Sequence, residues 1–243
     1  MARPDEPALG QLVLYLSDDV AVVNKPPAIS TEPARSGEPS LRDKVTALLS
    51  RGARAPHAVS RLDTNVTGAV VFALTERGAR ALAEAKQGGR YRRVYVALAS
   101  GKLISAGRWT ADVGGQDAET AVWPIAQAGP DKRPTSLLAL MPQTGRTHQI
   151  RIHASGAGAP LAGDKRYGGP STVPTKRGAM LGVSRPMLHA AAVDFPDPAR
   201  GAVVVRAPIP ADMTDLWSAL DGRPEAWEEA LVACGVASSS PPP

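Results

Sequence analysis

Asp63 stands in the run Ser60-Arg61-Leu62-Asp63-Thr64-Asn65-Val66-Thr67-Gly68, a polar turn leading into the apolar stretch Ala69–Leu74. A carboxylate at a strand entrance can be held rigid by the strand while facing a cleft, as a general base or a nucleophile must be. An isolated Asp in a turn more often only caps it, so the weight falls on its companions. Arg90, Arg92 and Arg93 lead into Tyr95, setting a phenol beside guanidinium groups. Gly145-Arg146-Thr147-His148-Gln149-Ile150-Arg151-Ile152-His153 packs two Arg, two His and a Gln among isoleucines, which suggests groups held in a cleft more than a solvated face. Gly163-Asp164-Lys165-Arg166-Tyr167-Gly168-Gly169 is a basic, glycine-bounded loop with an aromatic. Such a loop suits phosphate contacts and base stacking, although a plain surface turn explains it nearly as well.

The elements that must position these groups follow from periodicity. Leu12–Leu16 and Val20–Val23, separated by Ser17-Asp18-Asp19, predict strand, turn, strand. Ser40 with Asp43 predicts a capped helix carrying Leu41, Val45, Leu48 and Leu49. Ala69–Leu74 predicts a buried strand, and Thr75 opens a helix to about Gln87. Arg92–Ser100 predicts a strand with Val94, Val96 and Leu98 on one face and Arg93, Tyr95 and Ala97 on the other. Leu137–Leu140 predicts another strand. His148–Ser155 fits strand and helix alike, and residues 156–186 read as a long loop system. His189–Phe195 and Ala202–Arg206 predict a closing strand pair, followed by amphipathic helices around Met213–Leu220 and Trp227–Ala233. The mixture, without strict strand–helix alternation, predicts an α+β fold with a mixed, mainly antiparallel sheet. Residues 1–10 are expected to be disordered, 11–235 to form one domain, and 236–243 to be a low-complexity tail.

Composition narrows the chemistry. The chain has 243 residues, is 43% hydrophobic and 4% aromatic with two Phe, so its core must be built mainly from Ala, Val and Leu. A formal charge of +5 permits a nucleic-acid partner without demanding one. The single cysteine, Cys234, forbids an intrachain disulfide, and His57, His148, His153 and His189 are scattered. No run approaches the about 18 apolar residues of a membrane span, and the opening Met-Ala-Arg-Pro-Asp is not expected to begin a secretory leader. Phosphate-loop, dinucleotide, zinc-protease and serine-hydrolase motifs are all missing. A cytoplasmic, metal-free protein without a bound cofactor is expected, working through carboxylates, hydroxyls and guanidinium groups.

Taken in order, these segments resemble the RluA-type family of RNA pseudouridine synthases. Residues 60–68 are similar to its H-R-L-D-x-x-T-S-G motif, with Ser60 in place of His and Val66-Thr67 in place of Thr-Ser. Arg93–Gly101 resembles its K-x-Y-x-A-x-x-x-G strand, with Arg93 for Lys, a change of donor geometry at constant charge. Gly145–His153 resembles G-R-T-H-Q-I-R-x-H, and Val22-Val23-Asn24-Lys25-Pro26 resembles the opening motif. Gly163-Asp164 with Tyr167-Gly168, then Leu188-His189-Ala190, follow in the family's order. The resemblance spans about residues 12 to 220.

It implies the pseudouridine synthase fold, with helices and loops flanking the sheet around a central RNA-binding cleft. The implied reaction isomerises a flipped-out uridine in structured ribosomal or transfer RNA without a cofactor. Asp63 would be the catalytic carboxylate, as nucleophile or as base. Arg151 would pair with it, and Tyr95 would stack on the target base. Arg61 would enter the space the base leaves, and Ile150 would line the pocket. Arg146 and His148 would contact the RNA, and charge alone adds Lys86, Arg90, Arg92, Lys165 and Arg166. A monomer is expected, selecting RNA through loops such as 28–40 and 156–186, which favours a local stem-loop. Two readings compete. A non-catalytic or ribosome-associated RNA-binding protein would not need the Asp–Tyr–Arg set. A glycosidase would need two nearby carboxyl groups, for which Asp63 and Asp164 are on offer.

Overall fold

The computed structural model describes residues 9–33, 37–49, 55–102 and 105–236. After a 3-10 turn at Leu9–Leu12 come β1 (Val13–Leu16), β2 (Val20–Lys25), α1 (Leu41–Leu49), β3 (His57–Ala58), β4 (Thr67–Ala73) and α2 (Glu76–Gln87). Then follow β5 (Arg92–Ser100), β6 (Gly107–Trp109), β7 (Thr120–Ala128), β8 (Thr135–Pro142) and α3 (Gln149–Gly156). A 3-10 turn at Lys165–Tyr167 leads to β9 (Thr172–Pro174), β10 (Met180–Gly182), β11 (Leu188–Asp197), β12 (Gly201–Arg206), α4 (Ala211–Ala219) and α5 (Ala226–Ala233). The chain divides into two compact units, residues 1–92 with 193–207 and residues 93–192 with 208–243. No described helix is long and apolar enough to cross a membrane.

In the first unit β2 lies between β1 and β4, antiparallel to both, and β3 also pairs antiparallel with β4. The register sets Val20 opposite Ala73 and Lys25 opposite Gly68, so the end of β2 meets the start of β4 just after the Asp63 turn. Val22, Val71, Leu82, Val193 and Phe195 form the core of this unit. Helix α1 begins as its sequence predicts. The Ser40 hydroxyl accepts from Asp43 N–H, and the Asp43 carboxylate accepts from Ser40 N–H at 2.9 Å. Helix α2 is capped by Thr75, whose hydroxyl accepts from Gly78 N–H at 3.0 Å.

Asp19, 2% exposed, ties that cap to the β1–β2 turn by accepting from the Thr75 hydroxyl and from the Arg77 guanidinium. The Arg77 hydrogen bonds hold the Asp19 carboxyl below its ordinary value; burial opposes them and the Thr75 hydroxyl assists. Because the folded value is depressed, Asp19 contributes stability above the unfolded carboxyl value of about 3.9 and loses it as pH falls further. The melting temperature of Asp19→Asn is therefore expected to lie well below wild type at pH 6, with the gap closing between about pH 4 and pH 2. A gap constant across that range would sink the assignment.

In the second unit the strands run β5, β8, β7, β6, each antiparallel to its neighbour. Strand β7 was not predicted from sequence. Its Pro124 cannot donate to a ladder, and the register with β8 slips between Pro124 and Ala126 to absorb it. The stretch 156–186, expected to be loop, also holds an antiparallel hairpin of β9 and β10. Val94, Val96, Leu98, Leu137, Met213 and Trp217 form the core with α5, and Val236, assigned by sequence to the tail, is 3% exposed within it. The Val, Leu and Ala richness of both cores is what two Phe in 243 residues require. Residues 1–8 and 237–243, expected to be disordered and tail, lie outside the described residues, whereas Leu9 and Gly10 sit in the first 3-10 turn.

Candidate active site

The Asp63 turn in the first unit is fixed by backbone contacts on both sides of the carboxylate. Thr31, 3% exposed, bridges Leu62: its hydroxyl donates to Leu62 C=O at 2.9 Å and accepts from Leu62 N–H at 3.1 Å. Lys25, fully buried at the end of β2, donates to the carbonyls of Pro26, Ile29 and Thr64 at 3.0, 2.8 and 2.8 Å. Val66 N–H closes the turn on Asp63 C=O at 3.0 Å, and the Ser60 hydroxyl lies 2.9 Å from the Tyr91 hydroxyl. Asp63 is half-buried and Arg61 exposed.

Sequence reasoning gave Lys25, Thr31 and Tyr91 no role. A lysine ending an apolar strand looks like a snorkelling surface residue, and only the curl of residues 26–29 shows that carbonyls surround it. Lys25→Met keeps the length but takes from three carbonyls the donor they share. It is expected to cost about 2 kcal/mol, read as a melting temperature about 6 °C lower. An unchanged melting temperature would refute the anchoring role.

The second unit carries the other groups. The run 148–155, ambiguous in sequence, folds into the helix α3 from Gln149 onward, and its buried side is Gln149, Ile150, Arg151, His153 and Ala154. Two of its polar residues serve packing. Gln149 accepts from Thr144 Oγ1 and Arg146 N–H and donates to Glu119 C=O and Thr120 Oγ1. His153 lies 2.8 Å from Ala111 C=O through Nε2, which must carry a proton, and its Nδ1 lies 3.0 Å from Thr120 Oγ1. Arg93 donates to Thr144 C=O at 3.0 Å, holding the loop that enters α3.

Arg151, 8% exposed, donates through Nε and Nη2 to both oxygens of Asp164, each at 2.7 Å; Asp164 is 1% exposed. In sequence Asp164 was the second carboxylate of a glycosidase; both its oxygens are occupied by this guanidinium, the geometry of an anchor. The Asp164 loop is closed by two glycines. A Cβ at Gly163 would fall 1.9 Å from Arg185 C=O, and one at Gly169 the same distance from Leu161 C=O. Between them Lys165 and Arg166 are exposed, as is Arg146, whose Nε donates to Asp117 C=O at 3.2 Å. Tyr95, 5% exposed, stands opposite Leu140 in the β5–β8 ladder, and Ile150 is 6% exposed.

The expected residues thus divide between the units: Asp63 and Arg61 belong to the first, Tyr95, Arg146, His148, Ile150, Arg151, Lys165 and Arg166 to the second. Of the five cations proposed on charge alone, Arg92 pairs with Asp194 through Nε and Nη2, which weakens its candidacy as a phosphate contact. Lys86 and Arg90 are exposed.

A family model for RNA pseudouridylate synthases matches residues 19–156, more than half of the chain. The chain belongs to this family. An uncharacterized RNA pseudouridine synthase of Zymomonas mobilis is 30% identical over 228 residues, 86% of this chain and 99% of that protein. The ribosomal large subunit pseudouridine synthase D of Xanthomonas campestris is 33% identical over 229 residues, 86% of this chain and 69% of its own length. Among solved structures, human RNA pseudouridylate synthase domain containing 4 superposes with a TM-score of 0.68 at 19% identity, covering 88% of this chain and 94% of that one. The pseudouridine synthase is therefore an α+β isomerase acting on RNA, as the RluA-type resemblance implies.

Proposed function

We propose that this synthase converts a flipped-out uridine of ribosomal or transfer RNA to pseudouridine with Asp63 as its catalytic carboxylate. The observation that carries the reading is the anchoring of the Asp63 turn by Lys25 and Thr31 through the Thr64 carbonyl and the Leu62 peptide groups. A turn braced through its backbone keeps the residue that bears the carboxylate constant in place, which catalysis requires.

The reaction breaks the bond between the ribose anomeric carbon and uracil N1. The base turns, and C5 bonds to the anomeric carbon. The C5 proton is lost to solvent and N1 gains one, so the product is an isomer. Asp63 acts at the ribose as nucleophile or base, and in either role must be ionised. Arg151 serves as its charge partner, and Asp164 on one edge of the guanidinium sets which way the other edge faces. Tyr95 stacks on the uracil and Ile150 lines its pocket. Extrusion of the base costs a few kcal/mol, offset by Arg61 filling the gap and by phosphate contacts from Arg146, Lys165 and Arg166. The enzyme acts as a cytoplasmic monomer on a local stem-loop.

The names of its relatives make ribosomal RNA the first substrate to try. Ribosomal and transfer RNA transcripts carrying tritium at uracil C5 should lose it on incubation, and the responding transcript names the substrate class. RNA binding without release from any transcript would favour a non-catalytic RNA-binding protein instead.

A further inference from the structure

Arg151 is held by more than Asp164. Its guanidinium carbon lies over the Tyr167 ring, 4.9 Å from the centroid, so an aromatic face meets the group whose edge Asp164 grips. The Tyr167 hydroxyl in turn lies 2.7 Å from His148 Nδ1, the two rings edge to face at 5.6 Å and 77°. His148 precedes α3 with φ 58° and ψ 18°, the left-handed conformation that residues with a Cβ rarely adopt. A residue whose only duty is to meet solvent or a phosphate needs neither that backbone nor a tyrosine partner.

We propose that His148 and Tyr167 form a positioning pair for the Arg151 guanidinium. The proposal rests on the reading that Arg151 is the charge partner of the catalytic carboxylate. A two-point carboxylate grip fixes the guanidinium in its own plane and leaves tilt out of the plane soft; the Tyr167 ring opposes that tilt. The ring comes from a three-residue 3-10 turn in a loop with exposed flanks and needs a tether, which His148 supplies from the start of the helix that carries Arg151. The tether survives a change of protonation: the hydroxyl donates to a neutral Nδ1 and accepts from a protonated one. His148, expected from sequence to touch RNA, is thereby assigned inward. The same loop bears Lys165 and Arg166, the latter 5.6 Å from the Tyr167 ring, so phosphates docking there would steady the ring that steadies Arg151.

The test is single-turnover tritium release from the transcript that wild type modifies, with RNA affinity and melting temperature measured beside it. Tyr167→Phe removes one oxygen and keeps the ring. His148→Gly removes the hydrogen bond and accepts the left-handed backbone, while His148→Asn keeps a polar δ atom and also tolerates that backbone. Tyr167→Phe and His148→Gly are each expected to slow the chemical step about tenfold, the worth of one lost hydrogen bond, with RNA affinity within about twofold. The double variant should be no slower than either single one, and His148→Asn should recover most of the loss. Wild-type rates in both single variants, a double effect equal to the product of the two, or lost affinity at an unchanged rate would each overturn the pair. Arg151→Ala runs in the same series. If it keeps the wild-type rate, the Arg151 reading itself fails; if it loses the rate while the pair variants keep it, only the pair fails.

Discussion

Asp63→Asn should bind RNA and melt as wild type does, yet release tritium at least about 10³-fold more slowly, within the range by which a positioned acid or base accelerates a reaction. The amide is nearly the same size as the carboxylate but offers no negative charge, so it can neither attack the anomeric carbon nor remove a proton there. The backbone bonds that brace the turn survive the change: Thr31 to Leu62, Lys25 to Thr64, and Val66 N–H to Asp63 C=O. Intact binding with lost turnover separates catalysis from recognition. Equal release by the two proteins would mean that another group does the chemistry, and a large drop in melting temperature would mean that the carboxylate is structural.

Asp164→Ala tests the grip on Arg151 in the second unit, and there the fold should notice. It strips the acceptors from two N–H bearing atoms of a guanidinium that is 8% exposed. Breaking a buried ion pair from one side costs about 3–5 kcal/mol, because a charge is left in a poorly solvating place. In a chain of this size that is about 10 °C in melting temperature. Asp164→Asn, which keeps one acceptor oxygen and the volume, should lose less. Thermal denaturation of both variants checks the claim; a wild-type melting temperature for Asp164→Ala would show that Arg151 is solvated well enough to stand without its partner.

How far sequence led can be judged residue by residue. Periodicity located β5, α1 and α2 because their apolar residues repeat locally and their caps lie within three residues of the helix start. It missed β7, where Pro124 interrupts the pattern. It left α3 open because Ile150 and Ile152 alternate like a strand; only the burial of Gln149 and His153 with Ile150 and Ala154 reveals the helical stripe. The polar run 145–153 read as uniformly cleft-facing, yet Gln149 and His153 hold α3 to the stretch 111–120. The candidate site residues were legible as motifs, whereas their supports were not. Lys25 meets Thr64 from 39 residues away, Thr31 meets Leu62 from 31, and Arg92 finds Asp194 from 102. Local pattern carries no trace of such pairings.

The two glycines that bound the Lys165–Tyr167 turn bear on how such an enzyme can diversify. With backbone oxygen standing where any Cβ at 163 or 169 would go, the loop's ends are welded and its length is set by its frame. An insertion beside Asp164 would disturb the frame that presents it to Arg151. New RNA preferences can therefore be reached here by exchanging the side chains at 165 and 166, single steps that leave the frame alone. Among descendants of this chain, this loop should drift in letters and stay constant in length.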